Sequence, residues 1–163
     1  MHARYVDGIT IRPLRDGDTT AVAAVLERLG DTSRARRFGG AKPRLSEREL
    51  AALARVDGDH HVLLAYVEDD PRPVAMAQLA REGRTAEVAC AVADAYQRRG
   101  VGSVLTRELA ADARAAGITA IHATVAGDNP QAVALLTRCA KTLEVTWSGG
   151  AREFVVGLTA DAA

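Results

Sequence analysis

The chain has 163 residues, 48% of them apolar, with 21 Lys plus Arg against 21 Asp plus Glu. That length and apolar share suit one domain with a proper core and exclude disorder. The balanced charge leaves no general footprint for nucleic acid or an anionic membrane. The opening MHARYVDGIT has no apolar h-region, and no apolar run is long enough to span a bilayer. Cys90 and Cys139 are too few for a disulfide framework and lie in apolar segments, so the expectation is a cytoplasmic protein with reduced thiols. No Cys/His spacing suggests a metal. Without a repeat or a shift in composition, residues 1–163 read as a single domain with a loose terminal DAA.

Ile9 to Leu14 reads as a first strand, stopped at Asp16-Gly17-Asp18. From Asp18 the apolar positions Val22, Val25, Leu26 and Leu29 fall on one face of a helix that ends near Gly30. The polar, basic, glycine-rich segment DTSRARRFGGAKPR predicts a loop or a broken helix. Ser46 and Glu49 then form a capping-box pattern, with Leu45 and Leu50 as a hydrophobic staple, opening a short helix from about Glu47 to Arg55. His61 to Val67, Val74 to Leu79 and Ala86 to Val92 read as strands, and the short turns EDDPRP and REGR fit antiparallel neighbours. Val101, Val104, Leu105 and Leu109 keep helical spacing up to Gly117, a good residue just past a helix end. Ile118 to Val125 is a strand, and Asn129-Pro130 caps and opens a helix to about Ala140. Leu143 to Trp147 and Glu153 to Leu158 flank Ser148-Gly149-Gly150 as a hairpin.

A strand, helix and strand joined by tight turns imply one right-handed parallel crossover. The fold class is therefore α+β: a mixed, mostly antiparallel sheet of about seven strands with one parallel β-α-β unit. The turn before the long helix, YQRRGVGSVL, invites a phosphate. A P-loop would need a lysine that is missing, and a dinucleotide fingerprint would need Gly or Ala where Leu105 stands. What survives is a strand-turn-helix unit with free N–H groups from roughly Arg98 to Ser103 and a basic rim from Arg98 and Arg99. The plain alternative is a tight turn with two solvated arginines.

The string from Val92 to Gly102, VADAYQRRGVG, resembles the acyl-CoA signature of the GNAT N-acetyltransferase superfamily, Gln/Arg-x-x-Gly-x-Gly/Ala. Gln97, Gly100 and Gly102 hold its fixed positions, and Asn129 opens the helix after the following strand. The element order from Ile9 to Leu158 is also that of the superfamily. The resemblance implies a GNAT fold with acetyl-CoA as cosubstrate and no metal. It implies that Gln97, Arg98, Arg99, Gly100, Val101, Gly102 and Ser103 hold the pyrophosphate of coenzyme A, and that Val92 pairs with its pantetheine arm.

Acetyl transfer to an amine needs a base for the amine proton, N–H groups facing the oxyanion, and a thiolate that can leave. Glu87 is the base candidate: it alternates onto one strand face with Ala89 and Ala91, whose small side chains leave room above them. A carboxylate there is expected to be partly desolvated, which strengthens it as a base. His122 points away from the apolar set of its strand and competes, although a structural histidine fits as well; His60 and His61 are weaker. Tyr96 reads as packing, not as an acid. Many superfamily members carry a tyrosine acid seven residues after the asparagine, and here that position is Leu136.

A looser resemblance, to bacterial Pat-type protein lysine acetyltransferases, runs through DTSRARRF, LSEREL and RVDGDHH. It implies a glutamate base at Glu87 and a protein acceptor such as an acyl-CoA synthetase. With no nucleophilic Cys/His pair evident, direct attack of the acceptor amine on acetyl-CoA in a ternary complex is the expected route. Arg34, Arg36 and Arg37 are either solvated or a rim for an acidic protein surface or the 3′-phosphate of CoA. The competing functions are acetylation of a small amine and CoA sensing without turnover. The terminal hairpin offers an edge strand for a homodimer.

Overall fold

The computed structural model describes residues 2–126, 128–139 and 142–158. The side chains of Cys139 and Leu143, the expected helix end at Ala140 and the tail DAA lie outside the described residues. The chain opens with a hairpin absent from the sequence expectation: β1 (Arg4–Val6) pairs with β2 (Ile9–Pro13). Asp7 and Gly8, at φ 50° and 79°, make the two-residue turn between them, and both positive angles match the twist of a tight hairpin. α1 (Thr19–Leu26), α2 (Asp31–Phe38) and α3 (Glu47–Leu53) follow. Then come β3 (His60–Val67), β4 (Ala75–Glu82), β5 (Thr85–Val92), a 3-10 turn at Asp94–Tyr96, and α4 (Val101–Ala115). β6 (Ala120–Ala126), α5 (Pro130–Cys139), β7 (Thr142–Ser148) and β8 (Ala151–Gly157) complete the order.

The strands form one sheet in the order β1-β2-β3-β4-β5-β6-β8-β7, giving eight strands where about seven were expected. Only β5 and β6 run parallel, linked through α4. The caps read from the sequence hold: Ser46 and Glu49 exchange both capping-box bonds, and the Asn129 side chain accepts from the Ala132 N–H at 3.2 Å. α2 takes residues 31–38, the first part of the segment expected as a loop or a broken helix, and ends at Gly39. No apolar stripe predicts it; its arginines bond inward instead, Arg34 to the Leu26 carbonyl at 2.6 Å and Arg37 to Gln78.

Two apolar cores lie on opposite faces of the sheet. One packs α4 and Leu136 of α5 against Ile11, Leu63, Ala77, Phe154 and Val156. The other packs Val22, Val25 and Leu26 of α1 against Val62, Leu64 and Met76, with Phe38, Leu45 and Leu50 half-buried beside them. Among the described residues, no helix is long and apolar enough to cross a membrane.

Candidate active site

β5 and β6 pair only at Thr85–Ala120, Ala86–Ile121 and Glu87–His122, and then part. β4 stays paired to β5 along its whole length, so the edge of β5 facing β6 is open from Val88 to Val92. A cavity of about 400 Å³ fills the gap, within the range of small-molecule sites. The start of α4 closes one end, α5 one side, and α2 reaches over the other.

The turn at the end of β5 has the geometry of an anion cradle. Arg98 and Gly100 take positive φ of 60° and 82°, which bends the backbone before α4 starts. No side chain caps the first turn of α4, so its N–H groups remain available for a ligand. The Gln97 amide donates to the Val92 carbonyl and to Ser33 Oγ, both at 3.0 Å, tying the turn to β5 and α2. Arg98 is exposed, while Arg99 stacks on Tyr96 at 5.1 Å. Arg28 lies 5.2 Å from the same ring, and the Tyr96 hydroxyl donates to Asp70 at 2.9 Å. Asp70 also pairs with Arg28; the Arg72 N–H first, then Tyr96 and Arg28, hold its carboxyl below the usual range. Tyr96 is thus a clamp beneath the turn, in the packing role expected of it. The sequence did not point to Asp70, nor to Arg138 of α5, whose Nη1 stands 3.4 Å from Ser103 Oγ on the rim.

Glu87 lies on the face of β5 shared with Ala89 and Ala91, as the alternation predicts, but it is exposed where partial desolvation was expected. The room above the alanines is not empty. Gln78 pairs with Ala89 across β4–β5, and Arg37 comes down from α2 onto that row to bond the Gln78 amide oxygen. His122 is exposed, and the parallel register sets it directly beside Glu87 at about the 4.8 Å strand spacing. His60 and His61 lie elsewhere, bonded to Asp57 and Asp112 at 2.8 Å. Leu136 is 9% exposed in the α4 core and has no proton to give. Burial pushes the Cys90 thiol up to about 11, against the pull of Arg37, so this half-buried cysteine is a neutral thiol and no nucleophile.

Arg34, Arg36 and Arg37 have separate partners. Arg34 secures the α1–α2 junction, and Arg36 reaches across the cleft mouth to the Asp128 carbonyl at 2.9 Å and its carboxylate at 3.3 Å. No group of three His, Cys, Asp or Glu among the described residues is arranged to hold a metal.

This pattern, a parallel pair that splays beside an uncapped helix start, agrees with the match of residues 26–140 to the Acetyltransferase (GNAT) family. The chain belongs to the GNAT acetyltransferase family. The GNAT domain of S. lividans PAT is similar at 27% identity and TM-score 0.82, with 92% of this chain and 90% of that one covered. A cAMP-binding acyltransferase from Mycobacterium smegmatis is also 27% identical, with TM-score 0.63 over 96% of this chain; the match spans only 47% of that protein. A spermidine N-acetyltransferase from Vibrio cholerae, solved with CoA and spermine, shares the GNAT fold at TM-score 0.70 and 18% identity, covering 95% of this chain and 98% of that one.

GNAT enzymes use acetyl-CoA, and the two glycines of the turn separate its tolerance into two cases. A Cβ at Gly100 would sit on a left-handed backbone, costing roughly 1–2 kcal/mol. A Cβ at Gly102 would meet Leu135 at 3.4 Å and Val92 at 3.5 Å, about ordinary contact. Gly100→Ala is therefore expected to lower stability by roughly 1–2 kcal/mol in urea denaturation, and Gly102→Ala to leave it nearly unchanged. Equal losses would show that the backbone angle at Gly100 carries no strain.

Proposed function

We propose that the chain transfers an acetyl group from acetyl-CoA to a lysine side chain of a protein acceptor, with Glu87 as general base, and that residues 1–163 act as one domain. Residues 97–103 hold the pyrophosphate, Val92 pairs with the pantetheine arm, and Asn129 opens the helix on the far side of the gap. The observation that carries this reading is the placement of Glu87 where β5 and β6 part, five residues along β5 from Val92, or about 16 Å. A phosphate anchor at one end and a base at the other suit a long extended cosubstrate lying in the gap.

In the chemistry, Glu87 accepts the amine proton directly or through water, and the neutral nitrogen attacks the thioester carbon. The carbon–sulfur bond then breaks, and the thiolate leaves as the second nitrogen proton passes to it through water. With a thiol pKa of about 8.5, departure needs no tyrosine, which accommodates Leu136. The neutral Cys90 favours direct attack over an acyl-cysteine intermediate. The protein acceptor is supported by the Pat-like stretches of the sequence and by the likeness to the GNAT domain of S. lividans PAT. An acyl-CoA synthetase is the acceptor that this resemblance suggests.

Incubation with labelled acetyl-CoA and a cell extract tests the reading. Labelled protein is the expected result. Label confined to small molecules would replace the acceptor with a free amine, and CoA binding without any transfer would make the chain a sensor.

A further inference from the structure

The mechanism leaves one charged group in the cleft without a task. Arg37, in the last turn of α2, lines the gap between β5 and β6. Its Nη2 donates to the Gln78 side-chain oxygen, and Gln78 is oriented by its own amide, which donates to the Leu53 carbonyl at 2.8 Å. The guanidinium is therefore fixed from behind by neutral groups. Its Nε is sealed from solvent and meets no acceptor among the described residues. Burial lowers its pKa, against the opposing pull of Cys90 and Glu87. A buried charged donor lacking an acceptor is costly unless a ligand supplies one.

The groups facing Arg37 narrow what that ligand is. From β5 come Glu87 and Cys90; Cys90 is a neutral thiol, and Glu87 is exposed. On β6, His122 stands in register with Glu87, and on α2 itself Arg36 is drawn away to Asp128. Arg37 overlies the Gln78–Ala89 row, which is two residues from Glu87 and three from Val92 along β5. A carbonyl attacked by an amine that Glu87 deprotonates falls within reach of that row.

We propose that Arg37 is a catalytic residue: it donates to the thioester carbonyl oxygen and stabilises the oxyanion formed there. This rests on the acetyltransferase reading of the cleft. As the nitrogen lone pair forms the new C–N bond, the carbonyl π pair moves onto oxygen, facing the guanidinium. On collapse that pair re-forms C=O and the C–S pair leaves with sulfur; Glu87 or its water holds the first amine proton, and the second passes from nitrogen to the departing thiolate through water. Arg37 stays protonated throughout and acts by its field and its N–H bond.

The test compares Arg37→Met and Arg37→Lys with wild type, following CoA thiol release with an amine acceptor and, separately, with water alone. Arg37→Met is expected to lower kcat about 10²–10³-fold, with the KM for acetyl-CoA and the affinity for CoA unchanged, and Arg37→Lys to recover part of the loss. Acetyl-CoA hydrolysis should fall by the same factor, because water attack forms the same oxyanion. Gln78→Leu, which keeps the cation but removes its brace, should lose a smaller part of kcat and serves if Arg37→Met does not fold. An unchanged kcat, or a loss confined to either KM, overturns the proposal. Arg37-dependent hydrolysis in a chain that acetylates no lysine would sink the acceptor reading and keep this one. Turnover with neither amine nor water would sink both.

Discussion

Glu87→Gln is expected to lower kcat/KM for amine acetylation about 10²–10⁴-fold while CoA binds as before. The substitution keeps shape and removes only the ability to take a proton. Glu87 is exposed on its strand, so the fold carries little of the change. The turn before α4 is remote from it, separated by the open half of β5. Steady-state rates measured across pH separate the base from other roles, since loss of the base should lower the rate at every pH. Full activity across pH would remove Glu87 as the base. His122, beside it in register, would then be the next residue to replace.

The second large effect is on stability. Phe154→Ala is expected to cost roughly 3–5 kcal/mol, a large share of the 5–15 kcal/mol typical of a folded domain. Phe154 is 1% exposed, and it sits in the sheet between Ala123 of β6 and Val145 of β7. Its neighbour on β6 is small, so little side chain is available to fill the space. Urea denaturation with an unchanged slope and a lower midpoint would register the loss. A shift under about 1 kcal/mol would mean the site collapses around the missing ring.

Much of this architecture was legible because it is written in local rules. Ser46 with Glu49 and Asn129 with Pro130 announce helix starts through bonds spanning three residues. The Gly100 turn followed by Val104, Leu105 and Leu109 announces the crossover helix. The Asp7-Gly8 hairpin is equally local, but MHARYVDGIT carries too few apolar residues to mark a strand pair. α2 was beyond local reading: its stability comes from Arg34 and Arg37 bonding groups that are distant in sequence or contributed by another element. The same holds for the candidate site. Glu87 and the turn follow from alternation and motif. The Glu87–His122 neighbourhood and the Arg37 brace depend on strand register and helix placement, which no short window contains.

The brief β5–β6 seam also bears on how the molecule holds together. Among the described residues, three residue pairs, extended by the Thr119 N–H bond to the Arg84 carbonyl at 2.8 Å, join the backbone of β1–β5 to that of β6–β8 along this seam. The seam is thus the natural line for partial opening, with amide protons of β6 and β8 exchanging through events short of global unfolding. On the proposed function, a cosubstrate seated in the gap would touch both sides of that line and replace missing interstrand bonds with its own. Its binding energy would then add to the cohesion of the sheet, by RT ln(1 + [L]/Kd). The donor would be a removable rivet as well as a reactant, and each turnover would briefly loosen the joint it had fastened.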